Sequence, residues 1–117
     1  MKTVIIAGHC YSDSPRLAAI VEKAEAKPII LNSSDEIKAC LNDNPESLCL
    51  LNRIFENGEE GLKVIKELKQ AYPNVKFMLI SNYDDAQQEA ITLGAIQGFG
   101  KYKLKDPNTI DVIKNAL

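Results

Sequence analysis

Cys10 and Arg16 have the C-x₅-R spacing with which a thiolate and a guanidinium share one phosphate group. In that chemistry the sulfur attacks phosphorus, backbone N–H groups and the arginine cradle the oxygens, and a helix N-terminus lowers the thiol pKa. A late Asp106-Pro107 pair adds a carboxyl of the kind such a reaction needs. The intervening Tyr11-Ser12-Asp13-Ser14-Pro15 fits poorly: it has no glycine, lacks one N–H at Pro15 and carries the repelling carboxylate of Asp13. A simpler reading makes Cys10 incidental and Ser14 the cap of a helix. His9, the single histidine, has no metal-ligating neighbour beyond Cys10 and reads as a polar loop residue. The other polar candidates each follow an apolar run: Asn52 with Arg53, Ser81, and Lys101.

Those runs must belong to one domain, residues 1–117, since a chain of this length holds one core. The composition is that of a globular protein, 45% hydrophobic and 26% charged. A net charge of -2 argues against nucleic acid or an anionic membrane as a general partner. No apolar run reaches the roughly 20 residues of a membrane-spanning helix. The three cysteines, Cys10, Cys40 and Cys49, are scattered without a C-x-x-C pair, the usage of a reducing compartment, so the cytoplasm is the expected location.

Apolar runs and helical periodicity alternate from end to end. Lys2 to Ala7 reads as a strand, and Ser14-Pro15 opens a helix carrying Leu17, Ile20, Val21 and Ala24. Pro28 to Leu31 is a second strand. Ser33 and Glu36 form a capping box before a helix with Ile37, Cys40 and Leu41. After the strand Leu48 to Asn52, Gly58 to Tyr72 is an amphipathic helix, with Lys63, Lys66 and Lys69 on its outer face. Val75 to Ser81 is a fourth strand, and a helix from about Asp84 ends at Gly94. Ala95 to Gly100 is a weak fifth strand, and Pro107 to Leu117 a last helix with Ile110, Ile113 and Leu117 inward.

Five β-α units in strict alternation predict a parallel sheet with helices on both faces. Continuous rather than alternating apolar runs fit strands buried on both sides. Ligand sites in such sheets lie beyond the carboxyl ends of the strands. That rule selects Gly8, His9, Cys10, Asn52, Ser81 and Lys101.

Here the chain resembles the receiver domain of bacterial two-component response regulators. "SLCLLNRIFENGEEGLKVIKEL" is similar to that family's third strand, phosphoacceptor loop and glycine-opened third helix. "NVKFMLISNYDDAQQEAITLGAIQGFGK" is similar to its fourth strand with a hydroxyl residue, the Gly-Ala ending of helix four and the fifth-strand lysine. The resemblance implies a flavodoxin-like (βα)5 fold with sheet order 2-1-3-4-5. It also implies where chemistry would sit: an acidic pair holding Mg²⁺ at Gly8 and His9, a phosphoacceptor aspartate at Asn52, a hydroxyl at Ser81, an ion-pairing lysine at Lys101 and a switch aromatic at Gly98.

All three carboxylates are replaced. Glycine offers Mg²⁺ no ligand, and an amide cannot become an acyl phosphate. Gly98 removes the aromatic, and Phe99, one place along, points to the other face of a strand. Tyr102 replaces the proline whose cis bond the family carries. Lys101 would be the only charge left, joined in acid by His9, so the pocket's sign would reverse. It would stand empty with Lys101 on the Asn52 oxygen, or hold an anion.

The expected function is a degenerate receiver that contacts another protein, a signalling protein or output domain, without phosphorylation. A homodimer through helix 4, strand 5 and helix 5 is one form of that contact. No cofactor, catalytic residue or metal is expected. The alternatives are an anion or small-ligand sensor at the altered pocket, and a cysteine phosphatase or arsenate-reductase-like enzyme using Cys10 and Arg16.

Overall fold

A computed structural model describes residues 1–117. Five strands, β1 (Thr3–Ala7), β2 (Lys27–Leu31), β3 (Leu48–Asn52), β4 (Lys76–Ile80) and β5 (Ile96–Phe99), alternate with five helices. These are α1 (Asp13–Lys23), α2 (Ser34–Asp43), α3 (Gly61–Ala71), α4 (Asp84–Thr92) and α5 (Asn108–Ala116). The sheet is parallel throughout in the order β2-β1-β3-β4-β5, as the alternation predicts. It has the flavodoxin-like form, with β1 and β3 meeting where the strand order reverses.

The central strands are apolar through their middles because both faces are covered, and alternate residues serve opposite cores. Ile5, Ala7, Cys49, Leu51, Phe77 and Leu79 pack against α2, α3 and α4. Val4, Ile6, Leu48, Leu50, Met78 and Ile80 pack against Leu17, Ile20 and Val21 of α1 and Ile113 of α5. Ile110 and Leu117 are half-buried against that second core rather than fully inside it.

Three local expectations change. Ser14 is not a helix cap: α1 begins at Asp13, and Ser14 is buried with its hydroxyl donating to the His9 carbonyl at 3.4 Å. Cys10 closes that turn instead, its carbonyl accepting from the N–H groups of Asp13 and Ser14. At α2, Ser33 does accept from the Glu36 N–H at 3.2 Å, but the Glu36 carboxylate reaches back to Asn32 rather than to Ser33. α3 starts at Gly61, not Gly58, because residues 54–60 fold into a tight loop closed by a bridge between Ile54 and Glu60.

Strand β5, the weak strand of the sequence, is irregular in register. Met78 pairs with Ile96 and Ile80 with Phe99, so β5 carries one residue more than β4 across the same span. Such a bulge re-aims side chains. Phe99 turns into the α1/α5 core, and Gly98 leaves no side chain on the opposite side.

Candidate functional site

The carboxyl ends of β1, β3 and β4 bring His9, Asn52 and Ser81 together as buried polar residues, with Lys101 half-exposed beside them. Asn52 decides the local geometry. Its side-chain N–H₂ donates to the Gly8 carbonyl at 3.0 Å and to the Ile54 carbonyl at 2.7 Å, while its oxygen accepts from the Arg53 N–H at 3.0 Å. Every hydrogen-bonding direction in use suits an amide. A carboxylate there would set an anion against two carbonyl oxygens.

Gly8 is constrained from two sides. Its φ is +78°, a left-handed conformation that favours glycine. A Cβ at Gly8 would also lie 2.2 Å from the ring of Phe55. Phe55 is itself buried, its N–H bonded to the Glu59 carbonyl at 2.7 Å. The next residue, Glu56, donates its N–H to the Gly8 carbonyl at 3.1 Å. The β3–α3 loop is thus packed down onto the end of β1. Glu59 anchors it further by accepting from the Ser34 N–H at 3.0 Å and from the Ser34 hydroxyl at the start of α2. The hydroxyl bond to Ser34 and the amide of Asn57 hold the Glu59 carboxyl below its ordinary pKa.

The charge balance differs from the sequence expectation. Lys101 does not bond Asn52; its ammonium lies 3.3 Å from the carboxylate of Asp13, at the start of α1. Asp13 returns a negative charge that the sequence reading did not count, so Lys101 is not an unpaired charge. Burial raises the Asp13 pKa, but the Cys10 thiol and the Lys101 ammonium outweigh it and hold the carboxyl below its usual range.

His9 is not a solvated loop residue either. It is buried, and its Nε2–H donates to the Leu50 carbonyl at 3.0 Å, which leaves Nδ1 unpartnered. Burial lowers its pKa to about 4, with the Leu50 bond opposing and Lys101 adding to the effect. It therefore adds no positive charge in mild acid.

Ser81 accepts from the Tyr83 N–H at 3.2 Å, and its own N–H bonds the Phe99 carbonyl at 3.0 Å. Above Asn52, Ser81 and Lys101 lies a cavity of about 470 Å³. Arg53, on its wall, stacks 4.8 Å from the centre of the Tyr83 ring.

The thiol and guanidinium do not form a phosphate loop. The Asp13 N–H also contacts the Cys10 sulfur at 3.4 Å, so the amides that would cradle an oxyanion are spent on the helical turn. Arg16 lies exposed on α1. Cys49 is buried in the core, which pushes its thiol pKa up, and Cys40 packs half-buried against the same core. No group of three or more His, Cys, Asp or Glu side chains is placed to hold a metal ion, and no helix is long and apolar enough to cross a membrane.

Two participants escaped the sequence reading. Phe55 follows Asn52 in an apolar Ile-Phe pair, a visible signal that a side chain turns inward there. Gln87 of α4 gives no such signal. It is buried, and its amide N–H₂ donates to the carbonyls of Leu79 at 2.8 Å and Ser81 at 3.1 Å, and more weakly to that of Phe99 at 3.5 Å. It braces β4 and β5 beside Gly98.

This architecture is that of receiver domains. No family model matches the sequence, and no curated protein is similar to it at the level of sequence. Solved structures match the fold closely. NtrX from Brucella abortus superposes with a TM-score of 0.87 at 21% identity over 98% of this chain. The chain spans only 27% of that larger protein. The beryllofluoride-activated NtrC4 receiver domain dimer superposes at 0.85 with 22% identity, covering 99% of this chain and 96% of that one. A response regulator from Thermotoga maritima gives 0.83 at 19% identity, covering 99% and 97%. At these identities the likeness is one of fold.

Proposed function

We propose that this chain is a degenerate receiver domain, a signalling module that acts by contacting another protein and is not phosphorylated. One observation carries the reading. Asn52 and Gly8, at the positions of the phosphoacceptor and of the first acidic residue, are fixed in their present identities by the bonds of the Asn52 amide and by the ring of Phe55 against Gly8. An amide has no nucleophilic oxygen to offer phosphorus, and glycine and a buried neutral histidine make no Mg²⁺ site. Ser81 and Lys101 remain as structural residues of the old pocket, and Lys101 is engaged by Asp13.

In this reading the chain is no enzyme, works in the cytoplasm, and needs neither cofactor nor metal. Its partner is a signalling protein or output domain, and a second copy through α4, β5 and α5 is one candidate. Nucleic acid and membrane are not partners of this domain. The test is incubation with acetyl phosphate and Mg²⁺ followed by intact-mass measurement. The expected result is no phosphoprotein, and no Cys10-dependent hydrolysis of a chromogenic phosphate ester. A mass gain of one phosphoryl group, abolished by Asn52→Ala, would overturn the proposal.

A further inference from the structure

The Asn52 amide also sets the course of the chain as it leaves β3. Its oxygen accepts from the Arg53 N–H at 3.0 Å, and its N–H₂ donates to the Ile54 carbonyl at 2.7 Å. A bridge between Ile54 and Glu60 holds the same loop from its far end. In the neighbouring β4–α4 loop, the Tyr83 N–H donates to the Ser81 hydroxyl oxygen at 3.2 Å. Two ordered loops thus present Ile54, 40% exposed, and Tyr83, 59% exposed. The Arg53 guanidinium rests 4.8 Å from the centre of the Tyr83 ring.

Arg53 and Tyr83 line both the 470 Å³ cavity over the sheet end and a cavity of about 320 Å³ between α3 and α4. The two cavities therefore meet at this pair and form one groove. Its ends differ in charge. Over the sheet end, Arg53 is half-buried and makes no ion pair, while Lys101 is joined to Asp13 and Glu56 is the one acid on the wall. Between the helices, Asp85 and Glu89 of α4 line the groove with no cation other than Arg53, and Leu62 of α3 adds a half-buried apolar side chain. A small free anion would leave the apolar residues and the acidic end unused. Tyrosine and arginine are the residue types that most often anchor protein contacts, and side chains held in place beforehand lose little freedom on binding.

We propose that this groove docks an extended segment of the protein partner that runs from acidic to basic. A carboxylate of the segment meets Arg53, an apolar side chain lies against Ile54 and Tyr83, and a lysine or arginine faces Asp85 and Glu89. The proposal rests on the reading of the chain as a protein-contacting module and names the surface of that contact. Asn52 is a positioning residue in it, holding Arg53 and Ile54 without touching the partner.

The probe is the peptide acetyl-Glu-Glu-Ala-Leu-Leu-Ala-Lys-Lys-amide, with its reversed sequence to cover both chain directions, titrated into the 117-residue chain and followed by amide NMR. One of the two should give saturable shifts at Arg53, Ile54, Tyr83, Ala86 and Glu89. Replacing both glutamates of the peptide by glutamine should weaken binding about tenfold, as should Arg53→Glu in the protein. Glu89→Lys, an exposed change on α4, should weaken it several-fold, and Val112→Lys on α5 should leave it unchanged. The amide spectra of the variants check that each is folded. The absence of saturable shifts with both peptides, shifts confined to Gln97, Tyr102 and Val112, or undiminished binding in Arg53→Glu would overturn the proposal. So would displacement of the peptide by equimolar inorganic sulfate, which would assign the groove to a free anion. No phosphoryl donor or metal enters this experiment, so its failure leaves the test of phosphorylation standing, whereas a phosphoprotein there would refute the underlying reading.

Discussion

The β1–β3 and β4–β5 parts of the sheet hold their glycines, Gly8 and Gly98, in different ways. At the β1–β3 end the space for acidic side chains is filled: Phe55 covers Gly8, and the Asn52 amide ties the loop to β1. At the β4–β5 end, Gly98 is pressed against the Leu79 carbonyl, where a Cβ would lie 2.0 Å from the oxygen, and Phe99 turns into the α1/α5 core beside the brace of Gln87. A side chain packs over one glycine, and the backbone of the neighbouring strand over the other. The comparison teaches that two glycines in one sheet can be held by different kinds of neighbour. Neither glycine can be replaced without moving a neighbour, a ring at Gly8 and a backbone carbonyl at Gly98.

The largest expected effect tests the filled end. Gly8→Asp must place a side chain at φ +78° and into the ring of Phe55, so it should cost about 3 kcal/mol or more in chemical denaturation. In a Phe55→Ala background, itself destabilised by loss of a buried ring, Gly8→Asp should cost less, because the clash is with that ring. If Gly8→Asp alone were neutral, the end would not be filled in the sense argued here.

Next in size is the response to acid. His9 is held at about 4 in the folded chain against 6.5 unfolded, so between those values only the unfolded chain takes up the proton. Its contribution to stability is complete above pH 6.5 and is lost as pH falls toward 4, by up to about 3 kcal/mol. Asp13, whose pKa is depressed, adds its own loss only lower, as pH falls through the carboxylate range. Urea midpoints measured against pH should show the upper transition in the native protein and not in His9→Gln.

Asn52→Asp should have a smaller effect of about 2 kcal/mol near neutral pH, as a carboxylate replaces the donor to Gly8 and Ile54. The penalty should shrink in acid, where a protonated carboxyl again donates to one of the two carbonyls. A destabilisation that did not change with pH would point to packing rather than to those bonds.

Much of this architecture was legible in the residues. Runs such as Leu48 to Leu51 and Phe77 to Ile80 read as strands covered on both faces, because only such strands can be apolar throughout. That Gly8, His9 and Asn52 stand at the strand ends was equally plain, since residue types there are visible directly. What stayed hidden depended on contacts far apart in sequence. The pairing of Asp13 with Lys101 joins α1 to the end of β5, and nothing in either local sequence specifies it. His9 reads as polar, yet the Leu50 carbonyl and the core hold it buried and neutral. Gln87 sits among polar neighbours in a helix, and the carbonyls of Leu79 and Ser81 that its amide meets are remote from it in the local pattern. The Ser14 cap failed for a related reason: the Cys10 carbonyl had already met the helix's first N–H groups.

The central claim is that the β1–β3 end has no metal site left to work with. Amide NMR during a Mg²⁺ titration of the native chain tests it most directly. The account predicts no saturable shift at Gly8, His9, Asn52, Arg53 or Ser81. A saturable shift at Gly8, His9 and Asn52, competed by Ca²⁺, would contradict it.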